Sequence, residues 1–441
     1  MDNILKNIGI YIEYLSNTIW AIAMPLIVII TILISLRMIF KIKNKTTSYH
    51  RINVLRITKN SIVTMGTIIG TGALVGVLGS LSNMYKEGQC YIEGICIWGL
   101  IGLMFLSPFA YSETLMGRIV KLATSDYIKK FLGNGTSNLF KAVFIIIFVF
   151  GFGGFQFSAI NAATNIVSIN IGKGQISTFE SFFMVVVPLM VILSIIVLLK
   201  KQGLIIKSLA TLTTISVSLY IIFFFVFFFK TSSYWPIFFY RMTDSIRNPV
   251  SMMLGIPLGL MIGLQKIMQT ADVGIGVYGM VSKENKVHER EAALASAIVI
   301  GLLFIVGILA TTYITSYGVE HSIINLSGDS SVVLSDFYKT SINVAGNFGL
   351  IAVAAFSILT GFCALLGRYY YLNIMLKCSE NKKIITYIIL LSITGTFAVF
   401  GFSIIFNLVN LLIFIAFAIN IAALYVFTKN GWKEYQIKEE V

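Results

Sequence analysis

Apolar runs of about twenty residues, each long enough to cross a ~30 Å hydrocarbon core, recur along almost the whole chain. Short breaks of charged and turn-forming residues separate them. One helix per run predicts about eleven transmembrane helices, near 18–40, 60–83, 92–119, 140–165, 178–200, 204–229, 250–282, 292–317, 346–373, 384–404 and 406–428. The fold class is therefore all-α integral membrane. Only Gly401, Ser403 and Asn407 separate the last two helices. The first run follows Asp2 and lacks a small-residue cleavage site, so it reads as a helix and not as a removed leader. Residues 3–16 are modestly amphipathic, which suits either an interfacial segment or a solvated lead-in.

Composition agrees. The chain is 57% hydrophobic and 12% charged, about half the charge of a soluble protein, which leaves no room for a large soluble domain. Its formal net charge of +14 would suggest nucleic acid in a soluble chain. Here the basic residues fall in short loops and act as topology determinants. They crowd the first loop (Arg37, Lys41, Lys43, Lys45, Arg51, Arg56, Lys59) and recur in the third, fifth, seventh and ninth, the last holding Arg368, Lys377, Lys382 and Lys383. The second, fourth and eighth loops are poorer, and the sixth, with Lys230, Arg241 and Arg247, is the exception. That asymmetry places the N-terminus outside and the C-terminus in the cytoplasm of a cell membrane. Cys90, Cys96, Cys363 and Cys378 have no metal-binding or CxxC spacing and read as packing residues. His50, His288 and His321 all fall in loops. An enzyme would need intramembrane nucleophiles, a His–acid pair or a metal set, and none is visible.

Two spans are interrupted. The second carries Gly66, Gly70, Gly72, Gly76 and Gly79. Each glycine weakens a helix by roughly 1 kcal/mol relative to alanine, although glycines also serve close helix packing. The seventh span places Gln265, Lys266, Gln269, Thr270 and Asp272 at mid-membrane depth between glycines. A charge there costs ~2.5–3.5 kcal/mol on insertion scales, so such residues face a cavity or a partner. Lys266 and Asp272 could pair across an unwound segment, while a lysine near a helix end can instead snorkel to the interface. Softer candidates are Gln156, Ser158, Asn161 and Asn165 on the fourth span, and Phe223–Phe229 reads as lipid-facing bulk. Glu113 reads as structural, facing Arg118 or another helix.

The interrupted spans stand five helices apart. The chain thus divides into a lead-in (1–17), an extra helix with a basic loop (18–59), two five-helix halves (60–230 and 250–428) and a cytoplasmic tail (429–441). An odd number of helices per half makes the repeat inverted. Interrupted helices in corresponding positions mark a transporter's midplane site, where half-helix N-termini meet a substrate carboxylate and unwound carbonyls hold a cation.

At these segments the chain resembles the alanine or glycine:cation symporter family. The family's GTGNIAGVATA is similar to Gly70-Thr71-Gly72-Ala73-Leu74-Val75-Gly76-Val77-Leu78-Gly79-Ser80. Its late glutamate in the next helix resembles Glu113, its NEAGLGSAPIAHAAAK segment resembles Gln269 to Lys283, and its FAFSTILGW resembles Phe356 to Phe362. The resemblance covers the chain from about residue 18 onward. It implies a LeuT-type core with one extra helix, and sodium-coupled symport of a small amino acid such as alanine or glycine. Carried over residue by residue, it implies substrate contacts at Thr71, Gly72, Ala73, Gln269 and Thr270, and cation contacts at Gly70, Ser357 and Thr360, with sodium at the last two; Gln156 and Asp272 join the expected substrate contacts by their own placement. The family's asparagine is Ala73 here, its Asn-Glu pair is Gln269-Thr270, and its Ser-Thr pair is Ser357-Ile358. Lys266 and Asp272 add charges that the family pattern lacks. A lysine ammonium in place of sodium would make transport proton-linked or sodium-independent, and the eroded motifs also admit a transporter-derived sensor. The expected partners are a small amino acid and membrane lipid, with no nucleic acid, in a monomer.

Overall fold

The computed structural model describes residues 2–43, 53–251, 256–282, 288–327, 330–400 and 404–431. The loop with Lys45 and Arg51, the segment with Lys283 and Lys286, the Gly401–Ser403 break and the end of the tail lie outside the described residues.

The regular structure of the described residues is helical, apart from one isolated bridge, Ser251–Pro257. The helices are α1 (Asp2–Lys43), α2 (Val54–Ile68), α3 (Val75–Lys86), α4 (Gly94–Val120), α5 (Thr124–Leu132), α6 (Asn134–Ile146), α7 (Gly154–Asn170), α8 (Thr178–Leu198) and α9 (Gln202–Lys230). Then follow α10 (Trp235–Arg247), α11 (Leu258–Thr270), α12 (Val277–Ser282), α13 (Glu289–Glu320), α14 (Ser330–Ala345), α15 (Asn347–Met375), α16 (Glu380–Phe400) and α17 (Ile404–Val426). Six of the described helices are singly long and apolar enough to cross a membrane, and eight spans result if two bent pairs are joined. A multi-pass membrane protein follows.

The interrupted helices are the elements that position the site. Asn53 caps α2 by accepting from the Arg56 N–H, so the helix starts at Val54, six residues before the apolar run. It ends where Ile69 and Gly70 turn extended (Gly70 φ −145°, ψ −178°), a short 3-10 turn over Thr71–Ala73 follows, and α3 leaves at 89° to α2. The second break runs from Ala271 to Gly276, with Asp272, Gly274 and Gly276 at φ 49°, 82° and 91°. Gly274 and Gly276 are needed here. A Cβ at Gly274 would lie 2.2 Å from the Phe417 ring, and one at Gly276 would lie 2.4 Å from Thr124 Cγ2, each at a φ that L side chains avoid.

Three helices that the hydropathy pattern does not announce, α5, α10 and α14, connect longer ones. They are short amphipathic pieces, too polar to read as spans. α1 starts at Asp2, bends by 45° between Ala23 and Pro25, and brings Ser16 and Asn17 to the central cavity. The phenylalanine run divides by helical period: Phe223, Phe224 and Phe227 are buried, while Phe225 and Phe229 are exposed. The exceptional sixth loop has a local cause, since Arg241 pairs with both Glu93 and Glu320 and Lys230 donates to the Val344 carbonyl.

Candidate functional site

A cavity of about 470 Å³ lies where the two breaks meet. Its wall comes from the later limb of the first interrupted helix (Gly76, Gly79, Ser80, Asn83, Glu87) and the earlier limb of the second (Leu258, Met261, Ile262, Gln265, Lys266, Gln269). Of α2 only Ile68 reaches it. The cavity therefore extends from the breaks toward exposed Asn83 and Glu87 at the end of α3.

At the first break, Gln156 of α7 is buried, and its Oε1 accepts from both the Thr71 N–H and the Thr71 hydroxyl, each at 2.8 Å. It holds the 3-10 turn as a capping side chain holds a helix start. The Thr71 N–H is thus engaged by the protein itself, where a free N–H was expected. The Ala73 carbonyl accepts from the Thr311 hydroxyl at 3.2 Å. Gly72 lines the cavity, with open space where a Cβ would stand.

Lys266 is buried and does not snorkel. Its Nζ donates to Gln269 Oε1 at 2.8 Å and comes within 3.5 Å of where a Cβ on Gly76 would be, so the ammonium bridges α11 and α3. The expected pairing with Asp272 does not form. In its left-handed conformation Asp272 presents Oδ2 to Arg368 Nη1 at 3.9 Å. That distance is beyond a hydrogen bond, and Asp272 Oδ2, Arg368 Nε and Nη1, and Thr270 Oγ1 are all buried without a hydrogen-bond partner.

Arg368 corrects the sequence reading most. It is not a loop residue but sits 8% exposed on α15, its guanidinium over the rings of Phe148 (4.6 Å) and Phe152 (5.1 Å). It was counted with the basic residues of the ninth loop although the helix predicted over 346–373 contains it, because a charge and three tyrosines follow the apolar run. The available signal was that Leu372, Ile374 and Met375 carry the apolar pattern onward for two more turns.

Ser357 and Thr360 are buried on the same helix. Ser357 donates to the Val353 carbonyl (3.0 Å) and accepts from the Tyr338 hydroxyl (3.4 Å), and Thr360 donates to the Phe356 carbonyl (2.6 Å). Both hydroxyls keep lone pairs with which a cation could be held. A Cβ on neighbouring Gly361 would lie 3.1 Å from Thr71 Cγ2, so α15 passes the first break at this level. Among the described residues, three of the six carbonyls of the second break are taken: Ala271 accepts from Tyr278, Gly274 from Asn420 and Gly276 from Thr124. Glu113 accepts from the Gly279 N–H at 3.3 Å, at the start of α12. Asn161 and Asn165 serve local structure, accepting from Ser181 and the Ile176 N–H, and Ser158 donates to the Ala398 carbonyl. No group of three or more His, Cys, Asp or Glu side chains placed to hold a metal occurs among the described residues. All four cysteines are free.

No family model matches the chain, and no curated protein is significantly similar to it. Among solved structures, the chain is similar to a Na+-coupled sialic acid symporter in a substrate-bound outward-open state. The TM-score is 0.53 at 12% identity, covering 88% of this chain and 80% of that one. Mutants of the Eremococcus coleocola manganese transporter give a TM-score of 0.47 at 13–14% identity, covering 85% of this chain and 78% of theirs. The likeness to the symporter is one of fold.

Proposed function

We propose that this protein is a secondary active transporter of a small amino-acid-like solute, working by alternating access. One observation carries the reading: two interrupted helices, five spans apart, meet at a cavity whose floor holds Asp272, Thr270 and Arg368 with unpartnered polar atoms. Irregular backbone and buried charge at membrane depth are tolerated where they line a site. With each interrupted helix taken as one span, α2–α3, α4, α6–α7, α8 and α9 form one set of five. The second set is α11–α12, α13, α15, α16 and α17. The short helices α5 and α14 fall between the second and third members of each set, which supports the inverted repeat. With α1 the spans number eleven. Positive-inside puts α3's exposed end outside, so the cavity opens outward in a cell-membrane monomer.

Alanine or glycine as substrate and sodium as coupling ion rest on the sequence resemblance, with Ser357 and Thr360 as the sodium contacts and Gly70 beside them. A second reading, sodium-independent or proton-linked transport through Lys266, is favoured by one observation. That ammonium is buried against the cavity, bonded to Gln269 and beside Gly76. Uptake of labelled alanine, glycine and a broad amino-acid panel into proteoliposomes, with and without an inward sodium gradient, separates them. Sodium-stimulated uptake supports the symporter. Sodium-independent uptake abolished by Lys266→Ala supports the lysine mechanism. No uptake by folded protein overturns transport and leaves the sensor.

A further inference from the structure

The charges around the cavity do not balance. At depth they are Lys266, Arg368 and Asp272, and the remaining carboxylate of the lining, Glu87, is exposed at the mouth. Asp272 and Arg368 face one another at 3.9 Å. Lys266 has no carboxylate within ion-pair distance among the described residues, and its hydrogen bond goes to the neutral Gln269. A buried ammonium without a counter-charge is costly, and the cost falls when an anion enters beside it. The room and the polar atoms for that anion are present. The cavity continues from Lys266 to Thr270 and Arg368, whose Oγ1, Nε and Nη1 have no hydrogen-bond partner.

We infer that the substrate is a small solute carrying one net negative charge, its anionic head bound by Lys266 and its second polar group read by Thr270, Arg368 and Asp272. This rests on the transporter reading above and narrows it from zwitterions to mono-anions, acidic amino acids included. A mono-anion brings the deep site to neutrality, whereas a zwitterion leaves one positive charge uncompensated and a cation adds to it. One consequence concerns coupling. An inside-negative potential opposes entry of a net anion, so its accumulation inside needs a cation moving with it or an anion leaving in exchange. Arg368 suits a planar acceptor as that second polar group, because its guanidinium is already desolvated and oriented by Phe148 and Phe152 and its Nε and Nη1 are without hydrogen-bond partners.

The test uses the purified full-length protein and a panel of small mono-anions, zwitterions and cations, headed by aspartate, lactate, alanine and putrescine. Thermal stabilisation gives affinity, and proteoliposome uptake gives transport. At least one mono-anion is expected to bind tenfold or more tightly than alanine, with no stabilisation by putrescine. Lys266→Gln should weaken that mono-anion at least tenfold and alanine less than threefold, and Lys266→Arg should keep most of the preference. Without ligand, Lys266→Gln should melt no lower than the wild type, since it removes an uncompensated charge. Alanine or putrescine binding better than every mono-anion overturns the inference and leaves the transporter reading standing. So does a Lys266→Gln protein with the wild-type order of affinities, or one that melts lower. Neither stabilisation nor uptake by any class, from protein that melts cooperatively, overturns both.

Discussion

Gln156 holds two donors of Thr71 on one oxygen, and that arrangement predicts an inverted order of mutational effects. Gln156→Leu keeps the volume nearly constant and removes the acceptor, leaving the Thr71 N–H and hydroxyl facing an aliphatic group. A buried donor without a partner costs about 1–3 kcal/mol. Two such donors, less the gain from burying leucine, give a net loss of about 2 kcal/mol. Gln156→Ala removes the same acceptor but opens space continuous with the cavity, so water can satisfy both donors, and the expected loss is about 1 kcal/mol. Packing alone predicts the reverse order, because alanine leaves the larger void. Reversible unfolding in mixed micelles measures both, and Thr71→Ala, which deletes one donor, should reduce the leucine penalty by about 1 kcal/mol. Alanine costing more than leucine, or leucine falling within about 0.5 kcal/mol of the wild type, refutes the capping argument.

Three further substitutions test other parts of the structure. Arg241→Met strips the buried Glu93 carboxylate of its ion partner and should cost about 3 kcal/mol, most of it recovered in Arg241→Met/Glu93→Gln; a double variant as unstable as the single contradicts the pairing. Gly274→Ala puts a Cβ 2.2 Å from the Phe417 ring at a positive φ and should reduce the yield of monodisperse protein severely, with partial rescue by Phe417→Ala; a normal yield rules out the left-handed turn. Arg368→Met leaves Asp272 as a lone buried charge and should lose both stability and uptake, whereas Arg368→Met/Asp272→Asn should regain stability alone, checked by melting and proteoliposome assay side by side.

Glycine content and buried polarity made both interruptions legible in sequence, since Gly70 and Gly72 and the Gln265–Asp272 cluster have no comfortable place in an unbroken apolar helix. Lys266, Asp272 and Gln156 were legible for the same reason, and all three line one cavity. Partner choice was not legible. Lys266 and Asp272 are six positions apart on one segment, but the left-handed turn at Asp272 sends its carboxylate to a residue nearly a hundred positions away. Arg368 was hidden because a charge near the end of an apolar run looks the same whether its side chain reaches out to the interface or turns inward to the cavity. The capping role of Gln156 was equally hidden, because it depends on α7 crossing α2–α3 at Gly70, where a Cβ would lie 2.7 Å from the carboxamide nitrogen.

The two breaks are held differently, and the difference indicates which contacts alternating access must exchange. The earlier limb of the first interrupted helix is clamped to α15. The Tyr371 hydroxyl donates to the Thr67 carbonyl at 3.0 Å, and Gly367 passes so close that a Cβ would lie 2.7 Å from the same oxygen. The later limb of the second is clamped to α4 and α5 through Glu113 and Thr124. The opposite limbs, α3 and α11, pack against one another beside the cavity, and there Lys266 Nζ comes within 3.5 Å of where a Cβ on Gly76 would be. Opening the clamped side thus breaks about three hydrogen bonds, worth ~0.5–1.5 kcal/mol each. That sum is of the size by which a ligand shifts a two-state equilibrium. On the inference above, a substrate that neutralises Lys266 would let α3 and α11 tighten around it, and that gain would offset the loss on the other side. Coupling would then need no separate device, because the group proposed to bind the solute is the one that already bridges the two limbs.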